Sequence, residues 1–201
     1  MRIISGEARG RHLRAPRGDA TRPTADRVRQ ALYDVLGSPA GLVVLDLFAG
    51  TGALGLEALS RGASRAVFVD EAEPAIRVVR DNVKTLGYED RARILRLEVR
   101  RALRLLEKES AGFDWVFLDP PYASAGGDTT LAALGASALV RPGGLVIAEH
   151  DRRRPPAERY GALALDDRRR WGQTEVSLYA VAPGGVTAPP AGSGPDTELL
   201  P

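Results

Sequence analysis

The 201-residue chain has no cysteine, only two histidines, and lysine only at Lys84 and Lys108. Without cysteine there is neither a disulfide framework nor a thiolate metal site. His12 and His150 lie too far apart in sequence to form a metal cluster alone, so no metal is expected. No run approaches the roughly 18 apolar residues that a membrane span needs. The first residues, Met1-Arg2-Ile3-Ile4-Ser5-Gly6, lack the apolar stretch and cleavage site of a secretory signal. These absences point to a soluble, cytoplasmic protein with no membrane partner; separately from them, a monomer is expected. The length suits one compact domain with a sizeable core.

What the chain has instead is arginine: 26 of its 28 basic residues, for a net charge of only +2. The charge is unevenly placed. Residues 1–30 hold eight arginines against three acids, Glu7, Asp19 and Asp26. A basic arm of this kind suits contact with nucleic-acid phosphates, with Arg2, Arg9, Arg11, Arg14, Arg22 and Arg29 as the candidate contacts. The arginine-rich stretches 91–104 and 152–170 read as solvated faces.

Short apolar pieces alternating with Arg and Gly over residues 1–20 suggest a small β-hairpin extension. The main domain then spans 21–182. Its first helix opens near Thr24, a candidate N-cap, and carries Val28, Ala31, Leu32, Val35 and Leu36 on one face. Strands are expected at 43–47, 66–69, 94–97, 115–118 and 145–148, with helices at 53–61, 73–86 and 100–110 between them. Such β-α alternation implies a largely parallel sheet with helices on both faces. Residues 163–165 and 176–179 read as a closing hairpin. From 183 to 201, Gly, Pro, Ala, Ser and Thr dominate and predict a disordered tail.

Between the first strand and its helix the chain reads Leu45-Asp46-Leu47-Phe48-Ala49-Gly50-Thr51-Gly52-Ala53-Leu54-Gly55, which satisfies G-x-G-x-x-G from Gly50. Asp70, twenty residues on, has the spacing of a carboxylate that holds ribose hydroxyls. An adenosine-containing cofactor follows. The glycine turn serves a diphosphate or an amino-acid tail equally well. Asp46 inside the first strand separates the two, because a carboxylate repels a pyrophosphate and attracts the ammonium of a methionine moiety. This favours S-adenosylmethionine. Glu98, at the end of the third strand, is positioned to accept from the adenine amine. Phe48, Gly50, Thr51 and Gly52 with Glu71 and Val99 complete the candidate cofactor set.

The fourth strand delivers Asp119-Pro120-Pro121-Tyr122 to the same rim. An exocyclic base amine is a poor nucleophile, because its lone pair is delocalised into the ring. Acceptors that hold its N–H groups favour the pyramidal nitrogen that attacks a methyl group. The prolines fix the backbone and remove competing donors, and Tyr122 offers a face for stacking an extruded base. Asp rather than Asn at 119 favours guanine, whose N1–H and N2 amine are adjacent donors that a carboxylate accepts together.

Taken together, these stretches resemble the bacterial 16S rRNA guanine-N2 methyltransferases (RsmD-like) that modify a small-subunit hairpin loop. The resemblance is carried by Arg2-Ile3-Ile4-Ser5-Gly6, Arg9-Gly10-Arg11, Thr21-Arg22-Pro23-Thr24 with its following helix, the Leu45–Ala58 segment, Asp119-Pro120-Pro121-Tyr122 and Trp171-Gly172-Gln173-Thr174, over roughly residues 1–182. It implies a class I methyltransferase fold: a seven-stranded, mostly parallel sheet with the hairpin and a helix added at the front. It also implies S-adenosylmethionine as donor and 16S rRNA, in the small ribosomal subunit or an assembly intermediate, as substrate. Asp46 and Gly50 to Gly52 would then line the methionine end, Asp70 the ribose and Glu98 the adenine, while Asp119 and Tyr122 hold guanine. Arg22 and Thr24 would close the pocket or touch RNA. The chain departs from the family pattern at Glu98, where Asp is common, and at Gln173. Three other readings are weighed. A DNA or other RNA amino-methyltransferase, acting on adenine N6 or cytosine N4, shares this core. An NAD-dependent oxidoreductase leaves Asp119-Pro120-Pro121-Tyr122 without a role. A non-catalytic RNA-binding or assembly protein has no need of Asp46, Asp70 and Asp119 on successive strand ends.

Overall fold

Apolar runs buried on both faces build the centre of the molecule. β1 (Val43–Leu47) lies between β2 (Arg65–Asp70) and β4 (Phe113–Leu118). β3 (Ala92–Arg96) flanks β2, and β5 (Val140–His150) flanks β4, all in parallel register. The sheet continues antiparallel through β8 (Thr174–Val181), β7 (Leu163–Trp171) and the two-residue β6 (Arg159–Tyr160). The order is β3-β2-β1-β4-β5-β8-β7-β6. The computed structural model describes residues 1–15, 23–120, 126–171 and 174–182, with residues 23–25 described in backbone only.

Successive side chains of a strand point to opposite faces, so each face has its own core. Val44, Trp115, Phe117 and Ile147 join residues of α1 (Pro23–Leu36), α2 (Ala53–Ser60) and α3 (Glu73–Leu86). Leu45, Leu47, Val116 and Leu118 join those of α4 (Val99–Lys108) and α5 (Gly126–Gly135). Crossovers leave β1 toward β2 on one side and enter β4 on the other, so the strand order reverses between β1 and β4. Ligands of open α/β sheets bind at the carboxyl ends of the strands at such a reversal.

The sheet is mixed and has eight strands, not the expected seven, because Arg159–Tyr160 adds a short eighth along the start of β7. α5 was not anticipated. Its Gly-Gly-Asp-Thr-Thr start has weak helix propensity, but Leu131 and Leu134 are each 1% exposed in the second core, and a parallel β4-to-β5 crossover requires such an element.

The amino-terminal hairpin is reduced to one antiparallel bridge, Arg2 with His12, supported by Ile3 N–H donating to the Arg11 carbonyl at 2.9 Å. Tertiary burial decides the shape of this segment: Ile3, Ala8 and Leu13 sink into the first core. The buried Glu57 of α2 accepts from the N–H groups of Ile4 and Ser5 at 2.8 and 3.0 Å. The tail at 183–201, Arg22, Pro121, Tyr122 and Gln173 lie outside the described residues, as does the side chain of Thr24. Among the described residues no helix is long and apolar enough to cross a membrane.

Candidate active site

The chain leaves β1 through a turn that few residues tolerate. Phe48 has φ 59°, in the left-handed region that bulky side chains avoid, and Gly50 follows at φ 55°. Strained backbone of this kind persists where surroundings over-determine it, commonly at ligand sites. A methyl group added at Gly50 would face open space, with only the Phe48 carbonyl oxygen near, at 3.9 Å. Gly55 has the opposite reason to be glycine: a methyl there would come within 2.4 Å of the Phe68 ring. One glycine leaves room for a ligand, and the other lets α2 lie against β2.

Asp46 is 2% exposed, and its carboxylate accepts the Gly55 N–H at 2.9 Å in the first turn of α2. Burial lifts its pKa to about 8; the charges of Asp119 and Asp70 push the same way, against the Gly55 hydrogen bond. Asp70 holds the other side of the turn, accepting from Gly50 N–H and Ala72 N–H, each at 2.9 Å.

A cleft of about 630 Å³ opens beside this turn. Asp46, Phe48, Gly50 and Thr51 of the turn line it together with Leu118, Asp119, Ile147, Glu149, Trp171, Thr174 and Val176, and Val28 and Leu32 of α1. Asp119 keeps its surface open to the cleft while protein atoms crowd it from the other sides. That crowding, and then the Glu149 charge, push its pKa to about 7. Water reaches Asp119, while Asp46 is almost fully buried. The cleft therefore carries a carboxylate, Asp46, that solvent compensates poorly, a setting suited to a cationic ligand.

The sequence-derived candidates divide clearly. Asp46, Phe48, Gly50, Thr51 and Asp119 meet at the cleft, with Pro120 buried directly after Asp119. Asp70, Glu71 and Glu98 stand outside its lining. Glu98 caps α4, accepting from the N–H groups of Arg100 and Arg101 at 2.9 and 3.1 Å. Val99 is 5% exposed within the second core. Val28, Leu32, Glu149, Trp171, Thr174 and Val176 escaped the sequence reading. They come from α1 and from β5, β7 and β8, far from the glycine motif, and the Trp171–Thr174 stretch had signalled only family likeness.

The basic arm also divides. Arg2 and Arg9 are exposed, with no side-chain partner among the described residues. Arg14 pairs with Asp81 at 2.7 Å, and Arg11 donates to the Thr85 carbonyl. Arg29 is not on the arm's outer surface: it is 5% exposed, lines the cleft, and pairs with Asp26 at 3.0 Å and with Glu57 at 3.6 Å.

Comparison with known proteins gives a consistent result. The family described as conserved hypothetical protein 95 matches residues 1–180. YlbH of Bacillus subtilis, provisionally designated an rRNA methyltransferase, is 39% identical over 180 residues, 89% of this chain and 98% of its own. The ribosomal RNA small subunit methyltransferase D of Escherichia coli is 39% identical over 126 residues, covering 61% of this chain and 60% of that protein. Among solved structures, a hypothetical protein of Thermus thermophilus superimposes with TM-score 0.78 at 34% identity, covering 90% of this chain and 99% of its own.

Proposed function

The chain belongs to the conserved hypothetical protein 95 family and is a methyltransferase of the small-subunit methyltransferase D kind; from that premise we propose that it methylates the exocyclic N2 amine of a guanine in 16S rRNA with S-adenosylmethionine as donor. The substrate is the RNA within the small ribosomal subunit or an assembly intermediate. The enzyme acts as a cytoplasmic monomer through the domain at 21–182 and the basic segment ahead of it.

One observation carries this reading: β1 and the end of the adjacent β4 bring two carboxylates, Asp46 and Asp119, into one cleft. When bound, the donor supplies a methyl group made electrophilic by a sulfonium. The residues present fit that group. Asp46 would take the ammonium of its methionine end, and the open face of Gly50 leaves room for close approach. Each carboxylate oxygen of Asp70 and Glu98 has a lone pair left after its backbone bond, enough for ribose hydroxyls and the adenine amine.

Within the same cleft, Asp119 accepts hydrogen bonds from the guanine amine and takes the proton that the nitrogen sheds as its lone pair turns to the methyl carbon. Catalysis here is chiefly positioning. Val28, Leu32 and Trp171 give the cleft apolar walls that exclude water, and Tyr122 is assigned the stacking role. Arg2 and Arg9 contact phosphate.

The test is in vitro methylation with tritiated donor, using naked 16S rRNA and small-subunit particles from a strain lacking the enzyme. N2-methylguanosine in the nucleoside digest is the expected product. N6-methyladenosine or N4-methylcytidine would refute the guanine assignment. In parallel, S-adenosylhomocysteine should raise the melting temperature where NADH does not.

A further inference from the structure

Glu149 lies at the end of β5, and no step described so far uses it. The register pairs Leu118 with Ala148, and one residue further on each segment Asp119 and Glu149 both line the cleft, close enough for the Glu149 charge to act on Asp119. Strand alternation turns Glu149 to the same face as Ile147, which lines the cleft with it. On its other side the register places Val176, another cleft residue. Two carboxylates therefore stand close together in the cleft. Strand pairing up to Leu118 and Ala148 holds the backbones that carry them, and like charges this close favour a ligand that offers donors to both.

Resting on the guanine reading above, we propose that Glu149 is the residue that selects guanine, by accepting the ring N1–H while Asp119 holds the neighbouring N2 amine. Of the bases that carry an exocyclic amine, guanine alone has a ring N–H donor beside it. Adenine offers the N1 lone pair at that place and cytosine the N3 lone pair. Either would face the Glu149 carboxylate acceptor to acceptor, an unpaired and repulsive arrangement. Asp119 alone accepts an amine from any of the three. The second carboxylate turns amine binding into guanine recognition.

The experiment uses 16S rRNA ligated to carry 2-aminopurine at the mapped target. This base keeps the N2 amine but presents a lone pair at N1. Wild-type enzyme should methylate guanine with a kcat/KM higher by roughly 10- to 100-fold, the range of one good base-edge hydrogen-bond pair. In Glu149→Gln the amide N–H can donate to that lone pair. The variant should lose activity on guanine, gain on 2-aminopurine, and bring the ratio near unity or below. Equal losses on both bases in the variant would assign Glu149 a structural role and overturn the proposal. Equal wild-type rates on both bases would overturn it without any variant, whether or not Glu149→Gln folds. If wild-type enzyme yields no N2-methylguanosine from unmodified rRNA, the guanine reading itself fails and this proposal falls with it.

Discussion

The carboxylate of Asp46 accepts the N–H of Gly55 at 2.9 Å, joining the buried end of β1 to the first turn of α2. One residue thus caps a helix and offers a charge to the cleft. Asparagine preserves the cap and removes the charge, so the two roles are separable.

Stability should fall as pH rises. Asp46 and Asp119 ionise near pH 8 and 7 in the folded protein, well above the ordinary aspartate range near 4. A raised carboxyl pKa stabilises the fold fully below the unfolded value and loses that contribution as pH climbs through the folded value. Urea unfolding of the ligand-free protein should show decreasing stability between about pH 4 and 8 from these two groups. Asp46→Asn should flatten part of the decline and exceed wild type in stability at pH 9. A wild-type profile that rises over this window with no contribution removed by the variant would contradict the assignment.

Cofactor binding should depend on pH in the opposite sense. The ligand ammonium pairs with ionised Asp46, so binding below pH 8 must expel a proton. Affinity for S-adenosylhomocysteine should weaken as pH falls from 8 to 6, approaching about tenfold per unit for one expelled proton. Calorimetry in buffers of different ionisation enthalpy measures that proton directly, and Asp46→Asn should abolish its release.

The two glycines should separate packing from ligand access. Gly55→Ala drives a methyl into the Phe68 ring and crowds the Asp46 carboxylate, at 3.2 Å. Overpacking of this type costs about 1–3 kcal/mol, read by urea unfolding. Gly50→Ala meets no such wall and carries only the penalty of its positive φ. Its main effect should be weaker cofactor binding, seen in the calorimetric dissociation constant.

The arginines of the arm should behave unequally. Replacing Arg2 and Arg9 with alanine should leave the melting temperature nearly unchanged and lower the salt dependence of rRNA binding, by roughly 0.7–0.9 in the log–log slope per lost phosphate contact. Arg29→Ala should destabilise the fold, because it strips the buried Glu57 of a charge partner. Filter binding across a salt series and thermal melting distinguish the two groups.

The sequence by itself determined the five parallel strands, three of the four helices between them and the residues of the glycine turn. Those features depend on local periodicity and on short spacings such as Asp46 to Gly50, which chain geometry preserves in any context. It also determined that Asp119 reaches the same rim, since a crossover topology sends every parallel strand's carboxyl end to one edge. Tertiary structure alone decided how these residues are used. It seated Ile3, Ala8 and Leu13 in the core where a small hairpin extension was expected, turned Arg29 inward to Asp26 and Glu57, and made Glu98 a helix cap. It also brought Glu149 into the cleft close to Asp119, thirty residues away in sequence. Strand order and register, with the burial they impose, create that adjacency, and neither is written in the spacing of the two carboxylates along the chain.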